Sequence, residues 1–209
     1  ILVTSIMTYW YPGVQETIQS VREVFRETPV WLGGIYARLC PDHARMNTGA
    51  TQVVTSPIGS LPGMIESATG FSLTNKASWS RFDLWPPPAL DLLNHPRFAP
   101  VLTSIGCPFA CPYCATSKLQ PDWARRSAES ITRDIRSLHL EHGILDFALY
   151  DDALLMNAES SFKMALESLC REGVTVRFHT PNAIHARAVT AEWSQLLHAS
   201  GFKTILLGL

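Results

Sequence analysis

The stretch SIGCPFACPYCATS, residues 104 to 117, places Cys107, Cys111 and Cys114 within eight positions, and the remaining cysteines, Cys40 and Cys170, stand alone. A close trio of thiols is chemistry-bearing because the thiolate is both a nucleophile and a soft metal ligand. Four uses of such a trio can be told apart. Cys111 and Cys114 have the C-x-x-C spacing of thiol-disulfide enzymes, a use that leaves Cys107 idle. Cysteines two apart also make half of a zinc site, but a closed structural site takes four ligands. His95 and His139 are far along the chain, with no second pair nearby. Plain burial suits a free cysteine, yet a loop bearing Gly106, Pro108 and Pro112 is no apolar stripe. An iron–sulfur cluster takes thiolates at close spacing, and three of them on a four-iron cube leave one iron open to a small molecule.

The elements that must position this loop are those of an ordinary globular chain. Of 209 residues 46% are apolar and 17% charged, enough to build a buried core. A formal charge of -1 argues against a polybasic nucleic-acid surface, and the pair Arg125 and Arg126 is read as solvated helix ends. No basic region precedes the opening ILVTSIM, so no secretory signal is expected. The longest uncharged run, MNTGATQVVTSPIGSLPGMI, is rich in Gly, Pro, Ser and Thr and suits no membrane span. An odd number of cysteines, three of them clustered, makes no disulfide framework, so the expected compartment is the cytoplasm. An apolar strand-like run at Ile1 and another at KTILLGL lead us to expect a piece of a longer protein.

Alternation of period and punctuation predicts an α/β chain. Residues 1 to 7, PVWLGG and TQVVT read as strands, with helices over Val14 to Phe25 and Pro41 to Asn47 between them. Strand and helix in turn argue a parallel sheet, here part of a doubly wound, Rossmann-like domain over residues 1 to 57. Gly33 and Gly34 suit either a tight turn or the close approach of a cofactor. Residues 58 to 97, with WPPPALDLL, are a linker. From residue 98 the βα alternation resumes: strands APVLTS, LDFALY, VTVRFH and FKTILL, with helices around Ala128 to His142, Ala158 to Arg171 and Ala191 to Ala199. These are the first units of a partial TIM-type barrel or an open sheet. Ligands collect at the carboxyl ends of such strands. The polar residues fall there, with Cys107 to Cys114 after the first strand, Asp151 and Asp152 after the second, and His179 to Asn182 after the third.

C-x3-C-x2-C with Tyr113 before its third cysteine, LTSIGC leading in and Ala115 following, resembles the signature of the radical S-adenosylmethionine (radical SAM) enzymes. The resemblance covers residues 99 to 209. It implies a [4Fe-4S] cluster held by Cys107, Cys111 and Cys114, with the amine and carboxylate of S-adenosylmethionine (SAM) on the fourth iron. An electron from a donor such as flavodoxin or ferredoxin then cleaves SAM to methionine and a 5'-deoxyadenosyl radical, which takes hydrogen from a substrate. By the same resemblance Tyr113 lies near adenine, and Asp151 and Asp152 are candidates for the SAM amine. In HTPNAIHAR, Asn182 is a candidate for the ribose and Arg187 for the SAM carboxylate or a substrate anion, while His179 and His185 flank them. Helix capping or surface exposure is the plain alternative for each of these polar residues. The substrate, small molecule or other, stays open. A thiol-disulfide oxidoreductase using Cys111 and Cys114, or a zinc-stabilised binding module, are the other readings of the trio.

The first 55 residues resemble the later part of the B12-binding-type domain that precedes many radical SAM cores. Binding cobalamin in that fold uses a D-x-H-x-x-G loop whose histidine reaches cobalt. No such motif occurs, and the adjacent Asp42 and His43 do not replace it; either the loop lies upstream or the domain binds no B12, so cobalamin stays an open cofactor without a supporting motif here.

Overall fold

A computed structural model describes residues 1–74 and 77–208; Asn75 and Lys76, in the expected linker, and Leu209 lie outside the described residues. In chain order the elements are β1 (Leu2–Ser5), α1 (Tyr11–Val24), β2 (Trp31–Gly33), α2 (Gly34–Leu39), α3 (Pro41–Asn47), β3 (Gln52–Val53), α4 (Leu61–Thr69) and α5 (Ala77–Ser80). There follow β4 (Phe98–Val101), β5 (Ser104–Ile105), α6 (Thr116–Leu119), β6 (Ala124–Arg125), α7 (Ala128–His142) and β7 (Asp146–Leu149). The last are α8 (Met164–Arg171), entered through a π-helical turn at Glu159–Lys163, then β8 (Arg177–His185), α9 (Ala191–Ala199) and β9 (Phe202–Gly208). The chain divides into two compact units, one of Ile1–Thr74 with Pro112–Leu119, the other of Asn75–Cys111 with Gln120–Leu209. Among the described residues no helix is long and apolar enough to cross a membrane.

The first unit is a three-stranded parallel sheet in the order β1-β2-β3. α1 starts three residues before the expected Val14 because Pro12 occupies its first turn, where no N–H is missed. Val14 and Ile18 of that helix are buried with Val30, Leu32, Tyr36, Ala37 and Ala44. Gly34 has φ of +90°, and a Cβ there would stand 2.5 Å from the Ser5 carbonyl oxygen, so it is glycine that lets β1 and the start of α2 meet. At Gly33 nothing lies within 4 Å of where a Cβ would be. Gly34→Ala is therefore expected to cost about 2 kcal/mol or more in urea unfolding and Gly33→Ala well under half of that.

The second unit is a four-stranded parallel sheet in the order β4-β7-β8-β9, each neighbour reached through a crossover helix, α7, α8 or α9. The sheet with its helices is the α/β arrangement expected; the four strands are an open sheet. α7 begins and ends where Ser127 and Gly143 say it should. Ser127 Oγ accepts from the Ser130 amide, and Gly143 takes the left-handed conformation that closes the helix. Ile131, Ile135 and Leu138 of α7 and Leu166 and Leu169 of α8 are buried against Phe147, Leu149 and Phe178 of the sheet.

Two expectations need correction here. His179 and Asn182 lie inside β8, not in a loop after it, because the strand continues to His185 by slipping register against β9 after Phe178 and again after Thr180. Arg126 is no solvated helix end. It is 6% exposed, and its guanidinium donates to the buried Asp134 of α7 at 2.6 Å.

A polar row crosses the sheet beside this core. Asp146 of β7 accepts from Arg177 through Nε at 2.6 Å and is paired with a second nitrogen of the same guanidinium. It also meets His179 Nε2 at 3.0 Å, whose other ring nitrogen lies 3.1 Å from Thr204 Oγ1 of β9. Hydrogen bonds from Arg177 and then His179 hold the Asp146 carboxyl at about 2, below its usual 3.8. A depressed carboxyl adds stability above its unfolded value and loses it as pH falls through the folded one. Melting temperature is thus expected to fall from about pH 5 to about pH 2 more steeply in the wild type than in Asp146→Asn, with the divergence opening below 3.8.

Candidate functional site

Three carboxyl-end segments of the second unit converge on the loop that carries the cysteines. After β4 the chain forms β5, which pairs antiparallel with β6, Ser104 opposite Arg125 and Ile105 opposite Ala124. This pair is the neck of a loop, and between Ile105 and Thr116 the backbone is neither helix nor strand. Gly106 turns the chain out of the neck with φ of +74°. A Cβ there would stand 2.9 Å from the Asp122 carbonyl oxygen and 3.0 Å from that of Gln120, so the returning chain pinches the loop at its base.

Cys107 and Cys111 are half-buried and Cys114 is exposed, and none of the five cysteines is in a disulfide. The Cys114 thiol donates to Thr116 Oγ1 at 3.3 Å. Tyr113 is 86% exposed. The division between units passes between Cys111 and Pro112. Among the described residues no group of three or more His, Cys, Asp or Glu side chains is gathered to hold a metal ion.

The middle of the loop leans on the end of β8. The Phe109 ring lies 4.5 Å from the His185 ring, centroid to centroid, and Arg187 Cζ stands 5.9 Å from the centre of the same ring, within reach of a cation–π contact. Asn182 donates through Nδ2 to the Tyr150 carbonyl at 2.8 Å, tying β8 to the turn after β7.

The turn after β7 carries the two acids, and the structure gives them different surroundings. Asp152 is exposed. Asp151 is 3% exposed, and its carboxylate reaches across to the chain entering the loop neck. It accepts from the Thr103 amide at 3.0 Å and hydroxyl at 2.7 Å, and from the Ser104 amide and hydroxyl, the latter at 2.6 Å. Burial pushes the Asp151 carboxyl above its usual range, while the hydrogen bonds from Ser104 and Thr103 and the charge of Arg125 act in the other direction.

Of the residues marked in the sequence, Asp151, Asn182, Arg187 and His185 thus come to the carboxyl ends of the strands, with Cys107 and Cys111 on the loop beside them. His179 faces Asp146 and Thr204 instead. Thr103, Ser104 and Phe109 were missed. A pair of hydroxyls just past a strand, in LTSIG, is the only local sign that an acid from another strand is held there.

Each of the two units is an α/β arrangement around a parallel sheet, and solved structures share the fold. The solved structure of the radical SAM methyltransferase TsrM from Kitasatospora setae, with tryptophan substrate and the SAM analogue aza-SAM bound, matches 99% of this chain with a TM-score of 0.75 at 17% identity. A second structure of TsrM, with cobalamin and a [4Fe-4S] cluster bound, matches 100% of the chain with a TM-score of 0.72 at 18% identity. In sequence the chain is 25% identical over 132 residues, 59% of its length, to the uncharacterized methyltransferase PH0819 of Pyrococcus horikoshii. No family model matches. The chain spans 47% and 49% of the two TsrM chains and 28% of the Pyrococcus protein.

Removing Asp151 strands four buried or half-buried donors of Thr103 and Ser104. Asp151→Ala is expected to lower unfolding free energy by roughly 2–4 kcal/mol. Asp152→Ala, on the exposed side of the same turn, should change it far less in the same denaturant titration.

Proposed function

We propose that this chain is the cluster-binding part of a radical SAM enzyme, with Cys107, Cys111 and Cys114 as ligands of a [4Fe-4S] cluster. The observation that carries the reading is a C-x3-C-x2-C trio on an irregular loop at the carboxyl ends of a parallel sheet, in a fold like that of TsrM. The donor set fits: three thiols outside any disulfide, on a loop whose backbone is not committed to helix or strand. Cys107, Cys111 and Cys114 would hold the cluster, and metal binding couples to the ordering of its ligands. When bound, the cluster supplies the electron that cleaves SAM to a 5'-deoxyadenosyl radical.

The chain's own residues would bind and orient. Arg187, resting on Phe109 beside the loop, presents a cation to the SAM carboxylate or to a substrate anion. Asp152, exposed in the turn after β7, would accept from the SAM amine, and Asp151 holds the loop neck. Asn182 keeps its carbonyl oxygen for the ribose, its amide nitrogen being given to Tyr150. Tyr113 offers an exposed ring for adenine. An electron donor such as flavodoxin or ferredoxin is the partner that the reaction needs. TsrM and the Pyrococcus protein are both methyltransferases by description, so methyl transfer is the reaction class we assign to the whole protein.

Cobalamin stays open for the whole protein: a TsrM structure carries it, and this sequence has no D-x-H-x-x-G motif to assign its ligand. The first unit has a cleft of about 430 Å³ lined by Leu2, Thr4, Trp31, Gly33, Arg38 and Val54 among others.

Anaerobic reconstitution with iron and sulfide tests the proposal. A brown chain bleached by dithionite, whose colour is lost in Cys107→Ala, is the expected result. A colourless chain with stoichiometric zinc would overturn it in favour of a binding module. Disulfide reductase activity that survives Cys107→Ala would overturn it in favour of a thiol-disulfide enzyme using Cys111 and Cys114.

A further inference from the structure

Arg125 was read from sequence as a solvated charge, and the structure places it at the neck of the cysteine loop with all three guanidinium nitrogens donating. From β6, where it pairs with Ser104, it reaches the segment that follows Asp151 and Asp152. Nε donates to Ser161 Oγ at 3.1 Å, one terminal nitrogen to the carbonyls of Met156 at 3.0 Å and Ala153 at 3.4 Å, and the other to Leu154 at 2.7 Å. Residues 151–158 form no helix or strand, so these carbonyls belong to a turn with no ladder of its own.

Asp151 makes the reciprocal connection. An acid from the β7 turn holds the outgoing strand of the neck through Thr103 and Ser104, and a base from the returning strand holds the β7 turn. The two charges also act on each other: burial pushes the Arg125 guanidinium down and the charges of Asp151 and Glu159 hold it up. Only arginine supplies this pattern, because its donors form a planar fork while those of lysine leave a single atom.

We propose that Arg125 is a positioning residue for the cofactor site: it locks the turn bearing Asp152 to the neck that launches Cys107, so that the two cofactor-facing loops move as one body. The cofactors named rest on the radical SAM reading, whereas the lock rests on the hydrogen bonds alone. The side chains of Leu154, Leu155 and Ala158 are buried in the main core, so the turn stays docked when the guanidinium is removed. What the guanidinium adds is the path of the turn's backbone, and with it the placement of Asp152.

The test uses the 209-residue chain with Arg125→Met and Arg125→Lys. By amide hydrogen exchange, Arg125→Met is expected to raise rates in residues 103–108 and 151–158 by about tenfold or more while α7 and α8 keep wild-type protection. In the reconstituted chain, cluster content is expected to match wild type, and the SAM concentration that half-shifts the electron paramagnetic resonance of the reduced cluster should rise about tenfold or more, with Arg125→Lys between. Unchanged exchange in both segments, or exchange raised equally through α7 and α8, would overturn the lock. An unchanged SAM midpoint would overturn its role in the cofactor site. Should the wild-type chain take up no cluster, the radical SAM reading fails, and the exchange comparison still decides whether the lock exists.

Discussion

One buried carboxylate organises the business end of this protein. Asp151 has left water for a place at the junction of two loops, a move that is costly for a charge unless donors replace its hydration. Amide and hydroxyl donors of two consecutive residues do so, and both residues stand at the entrance to the cysteine loop. The entrance to the Cys107 loop is therefore held from outside that loop, by the turn that also carries Asp152. A loop with no helix or strand of its own needs such an external brace, since the loop's local sequence fixes only its turns. Gly106 completes the arrangement: with no Cβ it lets the outgoing and returning chain touch at the point where the loop leaves the neck.

The sheet elements that carry this junction were largely written in local pattern. The helix over Ala128 to His142 is found where it was expected, because a serine cap, an apolar face and a glycine stop are all contained within a span of 17 residues. The strand order follows from the βα alternation, which leaves parallel neighbours few other ways to connect. Where the reading failed, the determining contact lay far along the chain. β8 runs past Asn182 because its partner β9, some 25 residues later, allows two register slips. Arg125 and Arg126 look alike in sequence as adjacent charges. One finds carbonyls about 30 residues on and the other a buried acid within the next helix, and neither partner is visible from composition. The acids at 151 and 152 were identified as a pair, but the contrast between them, one sealed and one exposed, is a property of the packing and not of their spacing.

The two glycines of the first unit show the same limit. A cofactor approach and a tight turn predict the same residue type, and only space distinguishes them. A Cβ on Gly34 would meet Thr4 and Ser5 of β1, which is the close approach that demands glycine, whereas Gly33 has nothing near its Cβ position; both line the cleft. What the cleft accepts depends on its lining, which is apolar apart from Thr4, Ser56 and Arg38 and the glycine backbone. A fold shared with a cobalamin-carrying neighbour does not supply the ligand set, because sites are features grafted on folds.

The row of Asp146, Arg177, His179 and Thr204 has a consequence for whatever lies against that side of the sheet. An oily surface laid over it would strip water from an ion pair and an imidazole at once. A greasy neighbour is thus refused there, and so is another copy of the sheet stacking blindly onto it, whereas a hydrated or hydrogen-bonding covering is admitted. The row acts as a filter on company, enforced by the cost of dehydration.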